Sequence, residues 1–252
     1  WLNNQGEDVT KEAPITLFVM GANVWRDEWE WPLARTQWTK LYLNSDGKAN
    51  TVNGDGRLWK ESAVTQAVDT YQYDPANPVP TLGGATLGMV CQAGSFDQKA
   101  IEQRADVLVY TAEVQTEALE VTGPVKVVVW ISTSAVDTDF TAKLVDVAED
   151  GRAFNICDGV TRLRFRKDKP GLVIPDEVQE IEIELSPTSY VFASGHTIRL
   201  EISSSNFPHF DPNPNTGKSL MTDKSQEKIT ATQKIFHGPQ RLSYLLLPVI
   251  IH

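Results

Sequence analysis

An all-β sandwich or jelly roll with little helix is the fold this sequence predicts. Between Val178 and Ser203 two runs alternate strictly. Ile181, Ile183 and Leu185 alternate with Glu180, Glu182 and Glu184, and Ile198, Leu200 and Ile202 alternate with Arg199, Glu201 and Ser203. A period of two places one apolar row on a core and one charged row in water, as in an antiparallel sheet with one wet face. Roughly ten short runs of this kind recur between turn residues, and no long amphipathic helix pattern interrupts them.

Residues 1–13 are polar and read as a tail or linker; residues 14–252 read as the folded domain. Ile15 to Met20 is a short apolar run, consistent with a buried strand. The stretch GANVWRDEWEWPL follows, with Trp25, Trp29 and Trp31 set among charges, and six of the seven tryptophans fall in the first 59 residues. Large aromatics carry heavy burial, so something large is expected to pack against this end. Trp38 to Leu43 reads as a strand. NSDGKANTVNGDGRL looks superficially like a calcium loop, but counting from Asp46 puts Thr51 where the turn glycine belongs and Arg57 where the bidentate glutamate belongs. A surface turn is the expectation there. Asp69 to Tyr73 alternates and suits an edge strand, before the Pro/Gly-rich DPANPVPTLGGATLG. Val107 to Thr111 and Val125 to Ser132 are strands. Phe140 to Ala148 and Phe154 to Arg166 flank Asp150-Gly151, a hairpin turn signal. Arg162, Arg164 and Arg166 form a basic row, expected to be solvated and paired with acidic neighbours such as Glu180 to Glu184; an anion site is the sharper alternative. After Ser203 comes a long polar loop through Gly217, whose prolines keep it out of any central strand. Lys218 to Gln233 reads as a short helix or loop. Lys234 to Phe236 and Tyr244 to Ile250 close the chain as strands.

Composition removes several function classes. The 252 residues carry a net charge of −10 and no Lys/Arg-rich run, which argues against nucleic acid. No run of about 18 apolar residues offers a transmembrane helix, and the N-terminal residues lack the basic start and apolar core of a signal peptide. A soluble domain is expected, with its compartment unspecified. Cys91 and Cys157 make no disulfide framework and no CxxC, so free thiols are expected and zinc has no support. No metal or cofactor is expected.

Catalytic motifs are missing from the expected places. There is no G-x-S-x-G and no βα alternation to hold a hydrolase triad. Neither an H-E-x-x-H motif nor a phosphate-binding glycine loop occurs. Among the four histidines, His209 stands out, because Asp211 follows two residues on and such a pair can orient a general base. No motif places an activated serine or cysteine beside it, so a packed loop or interface histidine is the plainer reading.

Four ordered segments carry a resemblance. They are LFVMGANVWRDEWEWPL, AVDTDFTAKLVDVAEDGRAFNICDGVTRLRFR, SSSNFPHFDPNPNTG and KIFHGPQRLSYLLLPVI. Together they resemble the C-terminal domain shared by X-Pro dipeptidyl-peptidases and cocaine-esterase-like α/β-hydrolases. The resemblance covers nearly all of the chain from about Ile15. It implies a jelly roll of the galactose-binding-like type. It also implies that residues 1–13, beginning Trp1-Leu2, are a linker or the end of a preceding hydrolase domain that holds the Ser-Asp-His triad. No catalytic residue is then expected here. The partner implied is the α/β-hydrolase domain of the same protein, with a homodimer as a further expectation. The implied role is to stabilise that domain and help form its substrate pocket, in a serine hydrolase cleaving esters or Xaa-Pro peptides. The segment Gly83 to Met89 resembles a family loop that reaches the acyl pocket, which would make Leu87, Gly88 and Met89 part of its wall. Trp25, Trp29, Trp31, Phe207, His209 and Phe210 would form the interdomain interface. The alternative is a free-standing carbohydrate-binding module, with the tryptophans stacking on sugars.

Overall fold

The computed structural model describes residues 11–88, 91–166, 170–218 and 227–251. Among them run thirteen strands: β1 Ile15–Val19, β2 Val24–Glu28, β3 Thr36–Asn44, β4 Arg57–Trp59, β5 Ala67–Tyr73, β6 Leu108–Val114, β7 Leu119–Thr133, β8 Asp139–Val147, β9 Ala153–Arg162, β10 Gln179–Phe192, β11 Thr197–Ser203, β12 Ala231–His237 and β13 Tyr244–Ile250. β1 and β2 form a hairpin. The other eleven join in the order β5-β12-β7-β13-β3-β4-β6-β11-β8-β9, with β10 also paired to β7. β5 is indeed at the edge. All ladders are antiparallel except the short β4–β6 contact at Arg57 and Thr111.

The sheet folds over on itself to make a sandwich. Leu41 and Leu43 of β3, Val125, Val127 and Val129 of β7, Ile181, Ile183 and Leu185 of β10, and Leu245 and Leu247 of β13 face Leu108 and Tyr110 of β6, Phe140 and Leu144 of β8, and Ile198, Leu200 and Ile202 of β11 in one core. Each strand contributes every second residue, as the pleat requires. β7 is long enough to take three partners: β10 along one edge, β13 and β12 along the other.

Three expectations are corrected. The charged row of β11 is not in water: Arg199, Glu201 and Ser203 are all buried. The segment between β5 and β6 crosses that face, and its Val79, Ile101 and Val107 form a small apolar cluster with Val109 of β6. The strand predicted from Phe154 to Arg166 stops at Arg162, and a three-residue 3-10 turn, Leu163–Phe165, follows and leaves Phe165 exposed. The arginines there pair with neither the Glu180–Glu184 row nor an open anion site. Arg162 Nη2 bonds Asp139 Oδ2 at 2.8 Å, Arg164 Nε bonds Asp137 Oδ2 at 2.7 Å, and Arg166 Nε bonds Gln179 Oε1 at 2.5 Å. The Glu row meets Lys126 of β7 instead, at 2.6 Å from Glu182 and 3.1 Å from Glu184.

β2 and β4 had no signal in the sequence. VWRDE is charged and mostly exposed, and RLW is only three residues long. Cys91 and Cys157 are free, and burial raises the Cys157 thiol pKa.

Candidate functional site

Two surfaces carry the predicted site residues, and the fold sets them at opposite ends of the sandwich. The 29–35 loop enters β3 at Thr36, which pairs with Ile250, at the same end as the turns after β6 and β8. The loop that follows β11 leaves at Ser203, opposite Thr141 near the start of β8, at the other end. Trp25, Trp29 and Trp31 are therefore not brought together with Phe207, His209 and Phe210.

The tryptophan end is built on the β1–β2 hairpin. Phe18 pairs with Trp25 across it, and their rings meet edge to face at 5.2 Å. Trp25 is 70% exposed and Trp29 66%, while Trp31, Phe18, Met20 and Val24 are also exposed. The hairpin's other face is pinned by charge. Arg26 donates from Nη2 to Glu120 Oε1 at 2.6 Å and from Nε to Glu28 Oε1 at 2.6 Å, and Arg35 also pairs with Glu28. These arginine hydrogen bonds, Arg35's first, hold the Glu28 carboxyl below its ordinary range despite its burial. Main-chain bonds from Met20 N to Ser189 O and from Val191 N to Met20 O continue the attachment. Gly21 belongs there because its φ is +82° and a Cβ would sit 2.4 Å from Val191 O. The aromatic face is thus held rigidly outward and has no described partner in this chain.

Beside it, β3 and β6 diverge, because β4 is too short to bridge them along their length. A groove of about 720 Å³ opens there. Its floor is apolar (Leu41, Leu58, Ile198, Leu247), its rim is polar (Gln37, Glu113, Gln115), and Trp59 is the tryptophan that lines it.

The other end is built from two zipped loops. Thr81 N donates to Phe207 O at 2.7 Å and Phe207 N to Val79 O at 2.8 Å. Reciprocal bonds between Gly84 and Gly94, 2.7 and 3.0 Å, close a neck beneath the loop that carries Leu87. Leu87 is 92% exposed, and a Cβ on Gly88 would meet nothing within 4 Å. Met89 lies outside the described residues. The His209 ring packs on Phe210, tilted by 49° at 4.3 Å between centroids, and its Nε2 is 3.8 Å from Asp158 Oδ1. Asp211 contributes its carbonyl to Arg162, at 3.2 Å. The His209–Asp211 general-base pair is not formed; His209 is a partly exposed loop residue beside Phe210 and Asp158. His209, Phe210, Phe165 and Arg162 line a shallow recess of about 520 Å³.

A serine, a histidine and an aspartate do meet, at positions that carry no motif. Ser45 Oγ lies 3.0 Å from His237 Nε2 and donates to Asp69 at 2.8 Å; Asp69 Oδ2 also sits 2.9 Å from His237 Nε2 and accepts from Tyr110 at 2.7 Å. In a catalytic triad the carboxylate holds Nδ1 and leaves Nε2 for the hydroxyl. Here both partners share Nε2, Nδ1 has none, and Asp69 and His237 are fully buried. The cluster is a structural network. Burial raises the Asp69 pKa, but donors from His237, the Ala49 amide, Tyr110 and Ser45 outweigh it and leave the group below its ordinary value. The sequence held one clue: Asp69 is in phase with the inward-facing Tyr71 and Tyr73. Among the described residues no group of three His, Cys, Asp or Glu side chains could hold a metal, and no helix is long and apolar enough to cross a membrane.

Comparison with known proteins agrees with this geometry. The family model for the X-Pro dipeptidyl-peptidase C-terminal non-catalytic domain matches residues 7–246. Cocaine esterase of Rhodococcus sp. (strain MB1 Bresler) is 48% identical over 238 residues, which are 94% of this chain and 42% of that protein. Two solved structures share the fold over 94% of this chain. An aminopeptidase from a marine sediment Thaumarchaeota archaeon gives a TM-score of 0.81 at 29% identity over 40% of its length, and an α-amino acid ester hydrolase gives 0.77 at 26% over 41%. The chain thus spans about two fifths of the relatives it matches. With the sandwich, the missing nucleophile elbow and the family match in agreement, this chain belongs to the X-Pro dipeptidyl-peptidase C-terminal non-catalytic domain family.

Proposed function

We propose that this chain is the accessory domain of a serine hydrolase of the esterase or X-Pro dipeptidyl-peptidase type, which stabilises an α/β-hydrolase domain and completes its substrate pocket. The observation that carries the reading is the rigid, outward-facing aromatic hairpin, with Trp25 and Trp29 two-thirds exposed beside an apolar-floored groove. Isolated domains rarely leave such area open unless a partner covers it. In the relatives, more than half of the protein lies outside the matched region, so a partner domain of that size can reach both ends of the sandwich. Trp25, Trp29 and Trp31 dock it at one end. Phe207, His209 and Phe210 meet it at the other, where Leu87, Gly88 and Met89 add the pocket wall. A homodimer through either surface is compatible with this arrangement.

The carbohydrate-binding alternative also needs exposed aromatics, and Trp25, Trp29 and Trp31 meet that condition. It needs them to line a common cleft as well, and of the exposed tryptophans the groove takes only Trp59.

The test uses a chromogenic short-chain ester and an aminoacyl-prolyl anilide. This chain alone should hydrolyse neither. Added in trans to the hydrolase portion of the same protein, it should raise the rate, and Trp25→Ala with Trp29→Ala should weaken that rescue at least tenfold in half-maximal concentration. A rate from the chain alone that is lost on His209→Ala would overturn the reading.

A further inference from the structure

A small cavity lies under the covering segment, between it and the face of β8 and β11. Its volume is about 20 Å³, and every residue that lines it is buried, among them Val79, Thr141, Lys143, Glu201, Ser205 and Asn206. One water needs about 10–15 Å³ by the same measure. Two of these residues, each 4% exposed, carry a buried acceptor with no protein partner: Glu201 Oε1 and Asn206 Oδ1.

No neighbouring side chain or amide bonds them. Glu201 Oε2 is the oxygen that faces Lys143 Nζ, at 3.3 Å. Asn206 Nδ2 donates to Asp158 Oδ2 at 2.8 Å, which fixes the amide, since flipping it would set oxygen against a carboxylate. The nearby hydroxyl protons of Ser203 and Thr141 go to the carbonyls of Asp106 and Ser205. A buried acceptor left alone costs about 1–3 kcal/mol in general, so native folds rarely leave two beside one cavity.

We propose that this cavity holds one structural water, which donates its two protons to Glu201 Oε1 and Asn206 Oδ1. Two acceptors match two donors. The water oxygen can accept from Lys143, whose ammonium spends one proton on Gln98 Oε1 at 2.7 Å and faces Glu201 with another. Ser205, whose Oγ accepts from Val79 N at 2.9 Å, has its own proton to give. The water would tie the buried charges of β8 and β11 to Asn206, the residue that leads into Phe207 and His209.

A crystal structure of this chain, at a resolution that shows ordered water, tests it. The expected result is a density peak about 2.6–3.2 Å from both acceptors. Absence of that peak while other buried waters are visible overturns the proposal, as does a direct hydrogen bond between Glu201 and Asn206. Val79→Ile adds a methylene to the lining and should remove the peak and lower the unfolding midpoint. A peak that persists in V79I means the cavity is not its seat and also overturns the assignment. Should V79I not fold, the wild-type density decides alone.

Discussion

β10 and β11 are written in the same pattern and live in opposite surroundings. In β10, Glu180, Glu182 and Glu184 stand in solvent with Lys126 reaching across to two of them. In β11, Arg199 and Glu201 are buried, and their counter-charges come from other parts of the chain. Arg199 Nη1 bonds both oxygens of Glu102 at 2.9 and 2.8 Å, and Lys143 of β8 meets Glu201 and Gln98. Gln98 and Glu102 belong to the segment that crosses this face. Alternation therefore tells which residues share a face. Whether that face is wet depends on a segment about a hundred residues earlier, and that segment brings Glu102 to Arg199 and Gln98 to Lys143 as it covers them.

Breaking the buried side of the comparison should have the largest effect. Glu201→Ala strands the Lys143 ammonium and should cost about 3–5 kcal/mol by denaturant unfolding. Replacing the pair together, Lys143→Met with Glu201→Leu, should be neutral or gain about 1–4 kcal/mol, because both desolvation costs disappear. A loss comparable to that of the single variant would show that the ion pair, and not the packing, stabilises the layer.

Titration separates two kinds of buried carboxylate. Glu201 has a raised pKa because burial outweighs the Lys143 charge. Its contribution is in full below its ordinary 4.5 and is lost as pH rises through the folded value, by up to about 1.4 kcal/mol per pH unit. Asp69 has the opposite sign. Its contribution is in full above 3.8 and is lost as pH falls through its lowered folded value. Unfolding followed across pH should show Glu201→Gln flattening the first limb and Asp69→Asn the second. The reverse assignment would mean that the donors around Asp69 do not outweigh its burial.

The wet side should respond least. Glu182→Ala removes an exposed partner of Lys126 and should cost under about 1 kcal/mol, with the difference shrinking in high salt. A larger, salt-independent loss would mean that this row is covered as well.

Most of the sandwich was legible because its strands obey one short rule. The period of two in β10 and β11 marked the core row, a run rich in β-branched residues marked β7, and Asp150-Gly151 marked the β8–β9 turn. What was not legible depends on contacts far apart in the chain. The cover over β11 is a Pro/Gly-rich segment with no periodicity of its own. The Ser45–Asp69–His237 network joins residues up to 192 positions apart. In the candidate site, the hairpin's charged residues, Arg26 and Glu28, pin its inner face while Trp25 and Trp29 stay exposed, a division the residue order alone did not specify. That Phe207 and Trp25 belong to opposite ends follows from strand register, which single-sequence patterns do not specify when turns are long.

β13 is the last strand along the chain, yet it sits between β7 and β3. Leu245 and Leu247 fill core positions between two strands made long before them. A ribosome adding about 5–20 residues per second would need on the order of 5–20 s to pass from the end of β7 to the start of β13. During that interval β3 and β7 each present an unpaired edge and an uncovered apolar row, ready to pair with the wrong chain. The domain cannot close stepwise as it emerges. Its completion waits for its final strand, and the growing chain needs shelter until then.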